Sequence, residues 1–183
     1  MKFTLRKPNY QLVLSVAAIL LSLCGLLVSG YQAKIARENQ QMSVWPHLHF
    51  DAERNEQDFE LAVANDGVGP AIIRQTDLRY AGKPASDHIT FLKTMERTKV
   101  PDSLRAGGHN YRSFLPGDVL KVGDEKGLYT IRDNNLLADT LQGIMQDSVF
   151  QFRVTYSDVY DNCWQVIYRQ DRNTITKLRN CPD

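Results

Sequence analysis

No acidic residue precedes the apolar run that starts at Tyr10, and no charge of either sign falls between Tyr10 and Tyr31. That excludes a water-facing helix over this stretch. The remainder lacks a basic excess: three of the 22 Lys and Arg residues (Lys2, Arg6 and Lys7) come before the run, leaving 19 against 21 acidic residues. A nucleic-acid surface needs a clustered cationic excess, so that class is set aside. No block of like charges marks a disordered tail. Catalytic signatures are missing too: there is no G-x-S-x-G elbow, no S-x-x-K pair and no H-E-x-x-H helix. Internal repeats and low-complexity tracts are absent, and cysteine is scarce, with three in 183 residues.

What is present begins with the run itself. About twenty-two helical residues reach ~33 Å, enough for a hydrocarbon core of ~30 Å. A helix satisfies every backbone polar group internally, which a single spanning segment must do. Tyr10 and Tyr31 mark the ends, where amphipathic rings favour the interface, and the positive flank places the N-terminus in the cytoplasm. The expected organisation is a cytoplasmic N-terminus (1–9), a transmembrane helix (10–31), a stalk (32–43) and an exported domain (44–183). A cleaved signal peptide is the rival, with Val28 and Gly30 small enough for cleavage before Tyr31. Its apolar core would be about seventeen residues, longer than the usual 7–15. A lipoprotein box at Leu21-Ser22-Leu23-Cys24 is disfavoured by the bulk of Leu23.

Cys24 falls inside the run, which leaves Cys163 and Cys181 on the exported side, an even number in an oxidising compartment. A bridge between them closes a loop of about eighteen residues, worth ~3 kcal/mol in the chain-entropy model.

Along the exported chain, Leu48, Phe50 and Ala52 alternate with His47, His49 and Asp51, the pattern of a half-buried strand. Arg54 to Asp58 reads as a turn, and Phe59, Leu61 and Val63 as the face of an antiparallel neighbour. Asn65-Asp66-Gly67-Val68-Gly69-Pro70-Ala71 is the most distinctive local motif. It lacks the third glycine of a phosphate loop, and Pro70 removes a backbone donor, so it reads as a strand-to-strand corner whose glycines permit positive φ. Ile72, Thr76, Leu78 and Tyr80 then share a face. Helical spacing is expected over Ala85 to Glu96, a loop over Lys99 to Tyr111, and a short strand at Val119 to Val122. A second helix carries Leu136, Leu137, Leu141, Ile144 and Met145, with Asp133 as its N-cap. Phe150, Phe152, Val154 and Tyr156 pair across a turn with Trp164, Val166 and Tyr168. The tail ending in Cys181 is expected to cross the outer face of that hairpin and clip down at Cys163.

The alternating strands, the Val63-to-Ala71 corner, and the late hairpin around Tyr156-Ser157-Asp158-Val159-Tyr160 with Trp164 together resemble the immunoglobulin-like β-sandwich domains of uncharacterised bacterial single-span membrane proteins. The resemblance covers about half of the exported chain. It implies a mainly β fold: an antiparallel immunoglobulin-like sandwich behind a transmembrane helix, here with two short helical insertions. It places the domain in the periplasm or cell exterior on a single-pass inner (plasma) membrane protein. It implies no activity, since that architecture hosts many functions.

Two functional classes follow. The first is a membrane-anchored extracytoplasmic binding or assembly module without catalysis or cofactor. Its inserted middle, from about Ala81 to Ser148, is expected to contact another envelope protein or a ligand. The second is a metal-dependent enzyme: His47 and His49 lie at strand spacing on one face, with Asp51 beside them and His88 or His109 required as a third ligand. Solvation of an outer strand face accounts for the same pattern. Asp118, Asp124, Glu125 and Asp158 stand near turns, where carboxylates bond the backbone. Trp45 and Trp164 read as packing residues.

Overall fold

A computed structural model describes residues 9–84, 90 and 108–182, arranged as two compact units, 1–42 and 43–183. The first is helix α1, Tyr10–Met42, whose most apolar eighteen-residue window has a mean hydropathy of 2.6. It is long and apolar enough to cross a membrane, a criterion that a signal sequence near the N-terminus also meets. Ser15, Ser22 and Ser29 donate their hydroxyl protons to the carbonyls of Gln11, Ala18 and Gly25, one turn back. The serine hydroxyls in the apolar run are thereby satisfied within the helix. The helix continues without a break through the polar residues expected to form the stalk.

The second unit is built from antiparallel strands. One sheet has the order β1 (Leu48–Asn55), β2 (Asp58–Asn65), β7 (Glu125–Arg132), β5 (Gly108–Tyr111). The other runs β10 (Arg172–Leu178), β9 (Cys163–Arg169), β8 (Phe150–Ser157), β3 (Ala71–Tyr80), β4 (Lys83–Pro84), with β6 (Val119–Leu120) also pairing with β3. Both sheets line one core. Phe50 of the first sheet packs against Phe152 and Tyr168 of the second, with ring centroids 5.1 and 5.4 Å apart. Helix α2, Asn135–Gln146, adds buried Leu137, Ala138, Leu141, Ile144 and Met145 to that core.

Several expectations change here. The strand β7 was not expected, yet it lies inside the first sheet with Leu128, Tyr129 and Ile131 buried. Its alternation is broken because the pairing with β2 shifts register between Leu61 and Ala62. In β3 a second shift, between Ile73 and Gln75, moves the inward face. Ala71 and Ile73 are core and Ile72 is half-buried, so Ile72 does not share the inward phase of Leu78. Gly108–Tyr111, expected as loop, is β5. The short strand expected at Val119 to Val122 is β6 at Val119–Leu120 alone, and Lys121 and Val122 fall in the connection to β7. The helix cap is Asn134 rather than Asp133: Asn134 Oδ1 accepts from the Leu137 N–H at 3.0 Å, while the Asp133 N–H donates to Asp58 Oδ1. Leu136 is exposed. Of the middle region from 81 to 148, the stretch 108–146 is therefore no insertion, since β5, β6, β7 and α2 complete the two sheets and the core. The helix expected over Ala85 to Glu96 lies outside the described residues except at Thr90, which is helical.

The registers place the connections at two ends. Leu48 opposite Asn65, Ala64 opposite Glu125, Ile72 opposite Ser157 and Cys163 opposite Leu178 define one end. It gathers residues 44–47, 66–70, 112–118, 121–124, 158–162 and 179–182, and is called the proximal end because the chain enters there from residue 43. The distal end carries the 56–57, 81–82, 133–134, 147–149 and 170–171 connections.

Candidate functional site

The proximal end is organised by Asn65, which is fully buried. Its Nδ2 donates to the carbonyls of Gly69 and Leu120 at 2.9 and 3.0 Å. Its Oδ1 accepts from the N–H groups of Gly67 and His47 at 3.0 and 3.2 Å. Both protons and both lone-pair directions of one carboxamide are used. They tie the entry segment, the β2–β3 corner and β6 together.

The corner glycines serve a purpose other than the expected one. Neither Gly67 nor Gly69 has positive φ. A Cβ on Gly69 would stand 1.9 Å from the Val44 carbonyl oxygen, and one on Gly67 would stand 2.4 Å from the His47 nitrogen. The entry segment Val44–His47 crosses the corner backbone-to-backbone, and only glycine leaves room for it. The Val68 and Asp66 N–H groups donate to the Trp45 and His47 carbonyls at 2.9 and 3.0 Å, which locks the crossing.

The β8–β9 turn at the same end is held by buried Asp158. Its Oδ1 accepts from the Tyr160 and Asn162 N–H groups, and its Oδ2 from Asn162 Nδ2, all at 2.8–2.9 Å. Asp118 accepts from the Leu115 N–H and from Lys126 Nζ, and these bonds hold its carboxyl below the usual range. Asp124 Oδ2 accepts from the Lys121 N–H at 3.2 Å. These carboxylates organise turns, as the sequence suggested.

Cys163 and Cys181 form a disulfide with Cα atoms 5.4 Å apart. The chain between them does not cross the hairpin as expected. Residues 172–178 form β10, paired along β9, and residues 179–181 then curl back to Cys163. Its sequence, Arg-Asn-Thr-Ile-Thr-Lys-Leu, offers only Ile175 to the core between polar residues, so no alternation announced a strand.

His47, His49 and Asp51 are all on β1 or its approach. His49 Nδ1 lies 3.2 Å from Asp66 Oδ2, and His47 packs edge-on against Trp45 at 5.2 Å. Among the described residues no group of three potential metal ligands converges. His88 lies outside them. His109 is on β5, opposite Ile131 and separated from β1 by β7 and β2, so the sheet does not bring it to His47 and His49.

Sequence reasoning missed the surface that the proximal end presents. Outside α1, nine large hydrophobic residues are exposed among the described residues. Seven stand at this end: Trp45, Val68, Leu115, Val119, Val122, Val159 and Tyr160. Leu115 is 64% exposed while its neighbour Phe114 is buried, and Lys126 Nζ caps the Phe114 ring at 4.5 Å. The readable signal was apolar residues inside turns rich in Gly, Pro and Asp, where burial is not expected. Beside them opens a cleft of about 450 Å³ lined by Arg74, Gly117, Asp161, Arg179 and Cys181. Arg74 is fixed by donating from Nε to Ser157 Oγ at 2.9 Å and by an ion pair with Asp161.

No family model, no curated protein and no solved structure matches the chain.

Proposed function

We propose that the protein is a membrane-anchored extracytoplasmic binding or assembly module, mounted by α1 as a single-pass anchor and working through another envelope protein rather than through catalysis. One observation carries the reading. A single apolar helix leads into a β unit that has its own core, its buried cluster drawn entirely from Leu48 to Tyr168, and a disulfide at its tail. A bridged pair of cysteines suits an oxidising compartment, which is where the positive N-terminal flank sends the domain. Two antiparallel sheets over a shared core support the immunoglobulin-like reading. The bridge here joins a strand to its own sheet's tail, whereas antibody domains bridge the two sheets.

Proximity labelling from the β unit in intact cells tests the proposal. The expected result is a reproducible set of envelope proteins. Labelling confined to cytoplasmic proteins overturns it. Elemental analysis of the purified chain addresses the metal-enzyme alternative at His47 and His49, whose second histidine is already engaged by Asp66. A stoichiometric metal lost on substituting both histidines would favour that alternative.

A further inference from the structure

We propose that the proximal end of the β unit is a phospholipid-contacting surface, whose exposed apolar side chains enter the interfacial layer while the cleft between Arg74 and Arg179 takes lipid phosphate. The proposal deepens the anchored-module reading and rests on α1 spanning a bilayer.

Distribution is the first support. Among the described residues, seven of the nine large hydrophobic side chains exposed outside α1 lie at one end, and that end is where the chain arrives from the apolar helix. Exposed apolar side chains gathered at one end differ from the singly scattered ones of ordinary surface. Composition is the second. Trp45 and Tyr160 are the residue types enriched where an apolar layer meets water, and Val68, Leu115, Val119, Val122 and Val159 supply short apolar side chains that enter such a layer shallowly. The third support is charge. Arg74 and Arg179 line one cleft together with Pro116, next in sequence to Leu115, and Asp161, next to Tyr160; Asp161 pairs with Arg74, and the guanidinium fork of Arg179 matches phosphate geometry.

Rigidity matters as well. Trp45 belongs to the entry segment that Asn65, Gly67 and Gly69 clamp, so it cannot fold back into the unit without breaking the hydrogen bonds of that crossing. The occupant is chosen by tether length. Residues 32–42 make a helical stalk of ~16 Å, so lipid is the one surface the chain itself carries to this end.

The test uses the full chain reconstituted in phosphatidylcholine–phosphatidylglycerol vesicles whose acyl chains are brominated near the headgroup. The protein has two tryptophans. Trp164→Phe leaves Trp45 as the reporter, and Trp45→Phe leaves the buried Trp164. Shallow bromolipid is expected to quench Trp45 roughly twofold or more and to leave Trp164 nearly unchanged, as interfacial insertion of one ring requires. Val68→Asp with Val122→Asp, and separately Arg179→Gln, should each relieve that quenching. Quenching untouched by these substitutions assigns the contact to Trp45 alone and overturns the surface. A chain that floats with the vesicles but shows no quenching of Trp45 overturns the proposal while leaving the anchor intact. A Trp45 shielded from aqueous iodide yet unquenched by bromolipid means that protein covers this end, which also overturns it. A chain that fails to float removes the span and the proposal together.

Discussion

Asn173 on β10 closes the backbone of Phe50 on β1: its Nδ2 donates to the Phe50 carbonyl at 2.8 Å and its Oδ1 accepts from the Phe50 N–H at 2.9 Å. The two strands are edges of different sheets, and one side chain acts as the missing neighbour of the β1 edge. An adjacent group on that edge, the Leu48 N–H, donates to the buried Tyr156 hydroxyl at 3.4 Å. Open strand edges invite pairing with other chains, so this arrangement also guards against aggregation. Asn173→Asp keeps an acceptor for the N–H but turns a carboxylate toward the carbonyl. It is expected to cost about 2–3 kcal/mol, against about 1–2 for Asn173→Ala. Urea unfolding of the detergent-solubilised chain measures both, and equal costs would contradict the two-bond assignment.

Asn65 should be the least replaceable polar residue in the unit. Asn65→Asp leaves the Gly69 and Leu120 carbonyls facing a buried negative charge, and a loss of at least ~3 kcal/mol is expected. Gly69→Ala should be comparably harmful, because the new Cβ meets Val44 backbone that cannot swing aside. Gly82→Ala, in an open turn at positive φ, should cost only about 1 kcal/mol. Thermal unfolding of the three variants ranks them. A mild Gly69→Ala would show that the entry segment is loosely held.

Ionisation should be visible from both sides of neutrality. Burial pushes the Tyr156 hydroxyl up to about 12, and burial together with the nearby Asp171 carboxylate raises Tyr168 further. Raised folded values mean stabilisation that is complete below the unfolded tyrosine value of ~10 and is lost as pH climbs through the folded value. Spectrophotometric titration should therefore find two of the eight tyrosines ionising late, together with unfolding, and Tyr156→Phe should remove one of them. On the acid side, the Asp133 N–H and Arg132 depress Asp58, and the Leu115 N–H and Lys126 depress Asp118. Their contribution is intact above 3.8 and fades as pH falls below it. Asp118→Asn should flatten the acid limb of the stability curve. An unchanged limb contradicts the assignment.

The sequence showed strands where apolar and polar residues alternate without interruption. β1, β2, β8 and β9 were legible for that reason, as were the corner and the cysteine pairing. It hid what bulges and cross-chain hydrogen bonds create. β7 was missed because Glu125-Lys126-Gly127 opens it with polar and small residues before Leu128, and its partner strand slips by one residue. β10 was missed because its inward positions are Asn173, Ile175 and Lys177: the first serves the β1 edge and the last lies 5.5 Å over the Trp164 ring. The glycines of the corner were seen but misread, since steric approach by the Val44 backbone depends on chain that lies about twenty-five residues earlier. The proximal apolar surface is a property of which turns the registers bring to one end, and no local pattern announces that.

Reduction of the disulfide should weaken the unit without dissolving it. The loop between the cysteines spans 18 residues, for which the chain-entropy model gives ~3 kcal/mol. β10 keeps its full pairing with β9 and Ile175 stays against the core, so Cys163→Ala with Cys181→Ala should still fold cooperatively. A domain that is unfolded in the absence of the bridge would show that the sheets alone are insufficient.

The anchored, exported arrangement is tested most directly by counting free thiols in cells quenched with acid, dissolved in detergent, and treated with a mass-adding maleimide before or after reduction. The protein has three cysteines, of which Cys24 is free. One added mass without reductant and three with it is the predicted result, because Cys24 stays on the chain while Cys163 and Cys181 are bridged. Three in both conditions would place the domain in a reducing compartment, and none followed by two would mean that the apolar helix had been cut away; either contradicts the account.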